Sequence, residues 1–484
     1  MASDPASRFG RGRAARVAVV GVGLLLVLYA ISDDPLYGND PGFGKVQAGI
    51  LVAGILLAGS SLLPLPWVQR ILVLSTSSLI MLAVGELAAS RLLVARYRPV
   101  FVRDDRLLFK LAPDRDSEFT RSDSSGGGRY LTHINRDGYV GKELRPAGAA
   151  LRVLIYGDSF IHTYYVQPED GFAQQLENAL SRRLGTDVEV VNAGVAAYGP
   201  DQIALRMDEE IARLKPDLVV VSIFGGNDFG DLVRDKIFRL DDTGALRLNQ
   251  YRLDPKTAAA LDTAQRTSVL MGAVWTARQR LRGPSPPPPV PAGVDPQIAR
   301  MDRFLERAAQ EYDDFEVKKS DVVTNLQQDV YNADIALLPN TEPVRFKIRL
   351  MEAVLRHIDA IATRRRVPLV FMFIPYPGDV AQHYDDFKVD PERFPDYRPE
   401  NITDTLKGIA ERDGLTYLNL WDTFRPLDAE KLFIHGGDDH WNEAGQHIGA
   451  EALADFIAGR GLLGSAKPAP AAGVGQRDDA GAQR

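Results

Sequence analysis

The chain has 484 residues, a net charge of −7 and no cysteine. This length allows two or three domains with a sizeable core, and the acidic balance argues against a nucleic-acid-binding protein. Without cysteine there is no disulfide, thiolate metal site or cysteine nucleophile. The lack of cysteine does not indicate the cellular compartment. Seven histidines offer little for zinc chemistry, and no metal ion or organic cofactor is predicted.

Three long apolar runs, over residues 17–31, 46–68 and 71–93, occupy the start of the chain. Each is close to the ~20 residues that cross a bilayer. A cleaved signal peptide is the alternative for the first run, but no A-x-A-like site follows Ile31 and two further runs come soon after. The sequence therefore predicts a membrane anchor of about three transmembrane helices over residues 1–98. Glu86 is costly in lipid, so it faces another helix or marks where the third helix leaves the membrane.

The charges around these runs give two opposite signals about orientation. Arginines at positions 8, 11, 13 and 16 precede the first run and favour a cytoplasmic N-terminus. Three spans would then place the C-terminal part on the outer, periplasmic face of the cell inner (cytoplasmic) membrane. Arginines at 91, 96 and 98 follow the third run and favour the other side. The rule weakens for long exported domains, so we expect the outer face.

Residues 99–150 form a connecting segment. Ser122 to Arg129 (SDSSGGGR) has the composition of a flexible turn. Ile134 to Leu144 (INRDGYVGKEL) is interpreted as an edge hairpin that packs on the following domain rather than as part of a catalytic site.

From Leu151 the chain alternates between predicted strands and helices. Strands are predicted at 152–156, 187–192, 217–224, 367–374 and 415–420, and helices at 170–184, 201–214 and 348–362. This alternation predicts an α/β fold with a doubly wound parallel five-stranded sheet over residues 151–463.

A helical insertion at about 230–345 interrupts the alternation, with predicted helices at 256–282 and 297–316 around a polyproline segment, Gly283 to Gly293. The insertion begins close to Asn227. It is therefore either a cover that selects substrates or a surface excursion without a catalytic role. Residues 464–484 lack apolar periodicity and are predicted to be a disordered tail.

Three chemically useful residues follow predicted strand ends. Ser159 lies in LIYGDSF, Gly194 in VVNAGVAAYG and Asn227 in VVVSIFGGNDF. Because sites in parallel sheets lie beyond the carboxyl ends of the strands, one edge of the sheet should collect all three. His440 lies near the end of the chain in HGGDDHWNEAG, before a helix.

Together these four segments resemble the SGNH (GDSL-type) hydrolase superfamily, whose blocks carry Ser, Gly, Asn and His in that order. The resemblance covers about residues 130 to 460, and it implies a flavodoxin-like fold and a membrane-anchored bacterial member. It also implies Ser159 as nucleophile, His440 as general base, and an oxyanion hole formed by the Ser159 and Gly194 N–H groups and the Asn227 amide.

The third member of the catalytic triad departs from the family pattern. The usual DxxH spacing would place the acid at position 437, which is Gly437. Asp438 lies two residues before His440, as in DxHW-type blocks, and is the predicted acid. Asp439 is the first alternative, although a directly adjacent residue tends to point away in extended backbone. A histidine held only by a backbone carbonyl is the second alternative.

Each site residue also has a purely structural explanation. Ser159 could cap the following helix, and Gly194 could be needed only for a turn. Asn227 could form an Asx-turn, and His440 could be a surface residue. His162 and His435 are further histidines without a supporting block, and both are interpreted as structural.

The predicted function is a membrane-anchored serine esterase or an O-acyltransferase that forms an acyl-serine intermediate. The substrate implied by DxHW-type relatives is an O-acetylated cell-envelope glycan, with a lipid ester as the alternative. A catalytically idle envelope-assembly or glycan-binding protein is the alternative from another class. Protein partners and oligomeric state cannot be read from the sequence.

Overall fold

The structure is a computed structural model that describes most of the chain. The described ranges are 5–32, 43–94, 99–121, 125–163, 165–266, 268–282, 290, 293–326, 331–381, 388–434 and 439–464. The predicted tail beyond residue 464, most of the polyproline segment, His435 and Asp438 lie outside these ranges.

The described α-helices are α1 (Pro5–Ala30), α2 (Lys45–Gly59), α3 (Leu65–Leu92), α4 (Ser159–His162), α5 (Phe172–Leu184), α6 (Pro200–Leu214), α7 (Asp228–Asp235), α8 (Pro255–Arg266), α9 (Val269–Arg282), α10 (Pro296–Tyr312), α11 (Ala333–Leu337), α12 (Glu342–Arg365), α13 (Pro377–Val380), α14 (Asn401–Asp413), α15 (Trp421–Phe424) and α16 (Glu443–Gly459).

The described strands are β1 (Phe101–Asp104), β2 (Leu108–Leu111), β3 (Arg115–Thr120), β4 (Arg129–Ile134), β5 (Leu151–Tyr156), β6 (Val188–Asn192), β7 (Leu218–Phe224), β8 (Phe238–Leu240), β9 (Leu246–Leu248), β10 (Arg252–Leu253), β11 (Val322–Val323), β12 (Leu369–Ile374) and β13 (Tyr417–Asn419).

The central sheet has five parallel strands in the order β13-β12-β7-β5-β6. These are the five strands predicted from the sequence, with bounds that differ by a few residues, so the predicted fold class is confirmed. The sequence of β7, LVVVSIF, is almost wholly apolar and every residue of it is buried. Such continuous apolar runs are typical of parallel strands that are covered on both faces.

Two groups of helices flank this sheet. Helix α16 packs against α5, which also contacts β6, whereas α12 packs against α6 and α7. The helices α5, α6 and α12 are amphipathic and bury their apolar sides in one continuous core with the strands. The amphipathic pattern therefore explains why these helices pack on the sheet rather than on each other alone.

The N-terminal segment forms three apolar helices. The ranges Gly12–Ala30, Lys45–Leu62 and Leu65–Leu92 are long and apolar enough to cross a membrane, and α1 packs against both α2 and α3. The second predicted run, 46–68, is divided between two helices, because α3 begins after Pro64, its N-cap residue. These helices suggest that the protein associates with a membrane.

Two antiparallel hairpins, β1–β2 and β3–β4, connect α3 to the sheet domain. Val140 forms isolated bridges with Ile134 and with Asn192 at the end of β6. The segment predicted to be an edge hairpin therefore contacts the last residue of β6, which is the edge strand of the sheet.

The insertion contains the β8–β9 hairpin, the two-residue β10–β11 pair and the helices α8, α9 and α10. The helical pattern predicted over 256–282 is divided between two helices. Helix α8 ends at Arg266 and α9 begins at Val269, after Ser268. Ser268 caps α9, because its Oγ accepts the N–H of Met271 at 3.1 Å. A carboxylate of α3 also binds Ser268 and the first N–H groups of α9.

Candidate active site

Ser159 is the first residue of α4, directly after the turn that ends β5. The N-cap of this helix is Asp158, whose Oδ1 accepts the N–H of Phe160 at 3.0 Å. Ser159 itself is therefore not the cap, contrary to the structural explanation for it, and it is 4% exposed. A Cβ atom at Gly157 would lie 2.3 Å from Ser222 Oγ, so only glycine fits this tight strand-to-helix turn.

Gly194 lies behind α4 at the end of β6. A Cβ atom there would be 2.5 Å from the backbone nitrogen of His162, so the glycine is required for this contact. Its N–H donates to Asn192 Oδ1 at 2.9 Å, while Asn192 Nδ2 donates to the Ile161 carbonyl at 2.6 Å. These contacts favour a turn and packing role for Gly194, and an oxyanion role would require its hydrogen bond to Asn192 to break.

Asn227 lies in the loop between β7 and α7 and is 2% exposed. It is the N-cap residue of α7, yet its side chain makes no capping hydrogen bond; its carbonyl accepts the N–H groups of Gly230 and Asp231 at 2.8 and 3.0 Å. The backbone therefore satisfies the start of the helix, and the Asx-turn explanation does not account for the side chain.

His440 is 8% exposed and is therefore not a surface residue. The backbone around it forms a short antiparallel bridge between Phe433 and Trp441, and the His440 carbonyl accepts the N–H of Ile434 at 2.9 Å. Trp441 is fully buried. The histidine is thus held by a buried segment that comes just before α16.

Phe160 connects the three segments. Its ring stacks on His440 with centroids 5.0 Å apart and contacts Phe224, the last residue of β7, at 4.2 Å. Trp441 adds an edge contact to the same ring at 5.2 Å. The residue after Ser159 therefore touches both the predicted base and the end of the strand that precedes Asn227.

Of the two aspartates considered as the triad acid, only Asp439 lies within the described residues. Its Oδ1 is 3.6 Å from His440 Nδ1, so the expectation that an adjacent aspartate points away from the ring is wrong. This distance is longer than a hydrogen bond but short enough for an electrostatic contact. The assignment of Asp438 stays a prediction.

His162 is fully buried, and its Nδ1 accepts the N–H of Ala196 at 3.3 Å. Burial lowers its pKa to about 3, because the charged imidazolium would lose its hydration. A neutral histidine in this contact agrees with the structural interpretation. Among the described residues, no group of three or more His, Cys, Asp or Glu side chains is arranged to hold a metal ion.

A buried carboxyl group lies next to Asn227. Asp228 Oδ2 accepts the N–H of Phe224 at 2.8 Å. Burial raises the pKa of Asp228 well above its ordinary value, and the nearby carboxylates of Asp158 and Asp231 raise it further. Asp228 therefore tends to keep its proton and to hold the end of β7 rather than to act as a charged group.

Asn332, at the end of the insertion, is a residue that the sequence did not single out. Its N–H donates to the Gly226 carbonyl at 2.7 Å, its Nδ2 donates to the Gly225 carbonyl at 3.2 Å, and its Oδ1 accepts the N–H of Gly230 at 3.0 Å. The loop that carries Asn227 is therefore bound on both sides by one buried residue. No local sequence signal marks it, because its partners are about a hundred positions away.

Residues 155–330 match the model of the GDSL-like Lipase/Acylhydrolase family. A search of the curated proteins finds no match.

Several solved structures are similar to the chain. An acetyl xylan esterase, AlAXEase, is 11% identical, with 63% of this chain and 99% of that chain covered and a TM-score of 0.32. Axe2, an acetylxylan esterase from Geobacillus stearothermophilus, is 15% identical, with 64% and 95% covered and a TM-score of 0.31. The psychrotrophic esterase EstA from Pseudoalteromonas sp. is 12% identical, with 64% and 98% covered and a TM-score of 0.31.

Proposed function

We propose that the chain is an ester-bond hydrolase in which Ser159 is the nucleophile and His440 the general base, and the match of residues 155–330 to the GDSL-like Lipase/Acylhydrolase model supports this activity. The observation that carries this proposal is the stacking of Phe160 on His440 at 5.0 Å. It links the first turn of α4 to a buried histidine from a segment nearly three hundred residues away.

In the proposed reaction, Ser159 Oγ attacks the ester carbonyl carbon while His440 Nε2 accepts the hydroxyl proton. The carbonyl π electrons move to the oxygen, which becomes an oxyanion. Collapse of this intermediate breaks the bond to the alcohol, which leaves with the proton from His440. Water or a sugar hydroxyl then attacks the acyl-serine. Hydrolysis and acyl transfer therefore differ only in the second nucleophile.

The oxyanion would receive hydrogen bonds from the Ser159 N–H and the Asn227 side-chain amide, with the Gly194 N–H as a third donor once it leaves Asn192. Losing one such donor typically lowers turnover by ~10²–10³. Asp438 would orient His440 and stabilise the imidazolium, and Asp439, already 3.6 Å from Nδ1, is the alternative for this role.

We further propose that the chain is a multi-pass protein of the inner membrane, with residues 1–98 as anchor, 99–150 as connecting segment, 151–463 as hydrolase domain on the outer face and 464–484 as a tail. The apolar helices α1, α2 and α3 support the anchor. Protease added to intact spheroplasts should then digest the hydrolase domain while cytoplasmic proteins stay protected. Digestion only after lysis would place the domain inside.

The proposed substrate is an O-acetylated cell-envelope glycan, and a lipid ester is the second candidate because an anchored domain meets lipid continuously. Acetate release from an acetylated polysaccharide, compared with cleavage of long-chain acyl esters by the same preparation, separates the two. Adding an unacetylated acceptor glycan tests transfer, because a transferase would move the acetyl group to the glycan instead of releasing acetate.

The nucleophile is tested with a fluorophosphonate probe on the purified full-length chain. The natural protein should become covalently labelled, and Ser159→Ala should retain its fold but lose both labelling and ester cleavage. Ser181→Ala, on α5, is a control that should change neither. Labelling that persists in Ser159→Ala would falsify the assignment, and no labelling of the natural protein would favour a catalytically idle protein.

A further inference from the structure

Helix α9, within the insertion, exposes apolar side chains at helical spacing. Leu270, Val274, Ala277 and Leu281 are separated by four, three and four positions and therefore lie on one face. Val274 is 54% exposed and Leu281 is 90% exposed. A helix whose outer side faces water normally carries polar residues there, so this apolar stripe requires a different neighbour.

The stripe begins at a helix of the membrane anchor. Glu86 of α3 accepts hydrogen bonds from the N–H groups of Val269 and Leu270, at 3.0 and 3.1 Å, and from the Ser268 hydroxyl. A Cβ atom at Gly85 would lie 3.4 Å from Leu270 Cδ2. A carboxylate at a helix N-terminus satisfies free N–H groups and interacts favourably with the helix dipole. Helix α9 therefore starts in contact with α3.

The position of Glu86 along α3 corresponds to a membrane surface. From Leu65, the first residue of α3, to Glu86 the rise is about 31 Å, which is close to the ~30 Å thickness of the hydrocarbon core. A span that enters near Leu65 thus leaves the hydrocarbon near Glu86. This explains why an acidic residue is tolerated in the third apolar run, since it lies at the boundary and binds the start of α9.

A second set of contacts holds the α8–α9 junction next to the end of the anchor. Gln265 Nε2 donates to the carbonyls of Pro99 and Phe101 at 3.0 and 2.6 Å, and its Oε1 accepts from Arg115 at 2.6 Å. The chain that leaves α3 and the junction that precedes α9 are therefore bound to each other. Contacts on both sides of Ser268 therefore hold the start of helix α9 next to the end of the anchor.

The charge of α9 also fits a lipid surface. Its sequence, VLMGAVWTARQRLR, has three arginines in the last five residues and no acidic residue. A basic amphipathic helix with an apolar face typically lies in the plane of the membrane interface, where cationic side chains attract anionic headgroups.

We propose that α9 lies in the interface of the bilayer leaflet that faces the hydrolase domain. Leu270, Val274, Ala277 and Leu281 contact acyl chains, and Arg278 contacts anionic headgroups. This inference rests on the proposed membrane anchoring by α1, α2 and α3. Its consequence is that the insertion, together with the anchor, sets the height and tilt of the domain above the lipid.

The absence of native cysteine allows a direct test in the full-length chain. Val274→Cys and Leu281→Cys are each labelled with an environment-sensitive fluorophore, and the protein is reconstituted into vesicles of phosphatidylcholine and phosphatidylglycerol. Met81→Cys, 75% exposed on α3, reports the lipid environment, and Leu248→Cys, 62% exposed on β9, reports an exposed site on the insertion. Quenching by nitroxide-bearing lipid is compared with quenching by iodide.

The ratio of lipid to iodide quenching at positions 274 and 281 is expected to be about tenfold higher than at 248 and to approach the ratio at 81. Glu86→Ala should lower this ratio at 274, because the start of α9 loses its carboxylate, whereas Glu86→Gln should lower it less. The proposal would be overturned if iodide quenched the labels at 274 and 281 as strongly as the label at 248 while lipid quenched the label at 81. The proposed membrane anchor would stand in that case.

Two other results would also overturn it. Protection of positions 274 and 281 from both quenchers would mean that protein covers the stripe. A label at 81 that iodide quenches and lipid does not would refute the membrane anchoring itself, and this inference with it. Neither result bears on the Ser159 assignment, which is tested separately by covalent labelling.

Discussion

Replacing Asn332 with alanine is expected to lower turnover more than it lowers stability. Asn332 is 3% exposed and its side chain binds the Gly225 carbonyl and the Gly230 N–H, on either side of Asn227 in the chain. Asn332→Ala removes both side-chain contacts and keeps the backbone bond to Gly226. The loop then loses part of the restraint that fixes the direction of the Asn227 amide.

The size of the expected losses in stability and turnover depends on which groups lose a hydrogen-bond partner. The Gly230 N–H keeps the Asn227 carbonyl as acceptor at 2.8 Å, whereas the buried Gly225 carbonyl loses the Asn332 donor. One buried group left without its partner costs about 1–3 kcal/mol of unfolding free energy. Complete loss of an oxyanion donor lowers kcat by ~10²–10³. A displaced donor should therefore lower kcat by about 10- to 100-fold, with KM changed by less than about threefold because the contact strengthens in the transition state.

Asn401→Ala is the matched control. Asn401 is 6% exposed, and its Nδ2 donates to the carbonyls of Ala336 and Asp396 at 2.7 and 2.9 Å, neither of which belongs to the Asn227 loop. Both variants are assayed for kcat and KM on a chromogenic acetyl ester and for stability by denaturant unfolding. Asn401→Ala should lose similar stability but less than about threefold in kcat. Equal kcat losses in the two variants, or a change confined to KM in Asn332→Ala, would refute the positioning role.

Further substitutions test the acid of the triad and a buried carboxyl group. Asp438→Asn should lower kcat by about 10⁴ with little change in KM, and Asp439→Asn only a few-fold; steady-state kinetics with the reverse order would assign the role to Asp439. Burial raises the pKa of Asp379 from 3.8 to about 8. The native state therefore retains a proton that the unfolded chain releases, and the associated stability is complete below pH 3.8 and is lost as pH rises to about 8, by at most about 1.4 kcal/mol per pH unit. Thermal unfolding of Asp379→Asn should show a flatter pH dependence, and an unchanged slope would contradict this reasoning.

The sheet was predictable because buried parallel strands are continuous apolar runs. The run that became β7 ends where Gly225 and Gly226 begin, and the run that became β5 ends at Gly157. These breaks placed Ser159 and Asn227 at one edge of the sheet by topology alone. The same argument could not show why position 194 is a glycine, because that depends on how closely two elements pack: a Cβ atom there would lie 2.5 Å from the backbone nitrogen of His162.

Long-range contacts explain what the sequence analysis missed. Helical periodicity runs through residues 256–282 without a proline, and the local signal for the start of α9 is Ser268, whose Oγ accepts the N–H of Met271 at 3.1 Å. The contact with Glu86 has no local signal, because Glu86 is 182 positions away from Ser268. Asn332 also binds residues that are distant in the sequence, since Gly230 and Gly225 precede it by 102 and 107 positions. A single sequence contains the residues of such pairs but no information that joins them.

The long-range contacts of Ser268 and Asn332 lie at different places in one insertion. They argue against the interpretation of the insertion as only a surface excursion. It leaves the domain after α7, contacts α3 through Ser268, and returns to the Asn227 loop at Asn332. Between these points, Glu311 of α10 forms an ion pair at 3.3 Å with Arg234 of α7, and both side chains are largely buried. Arg234 also pairs with Asp231, so Glu311 joins the insertion to a buried ion-pair network of α7. The insertion is therefore part of the structure that holds α7 and the preceding Asn227 loop, and removing it should disturb Asn227, the proposed oxyanion donor, before it changes access to Ser159.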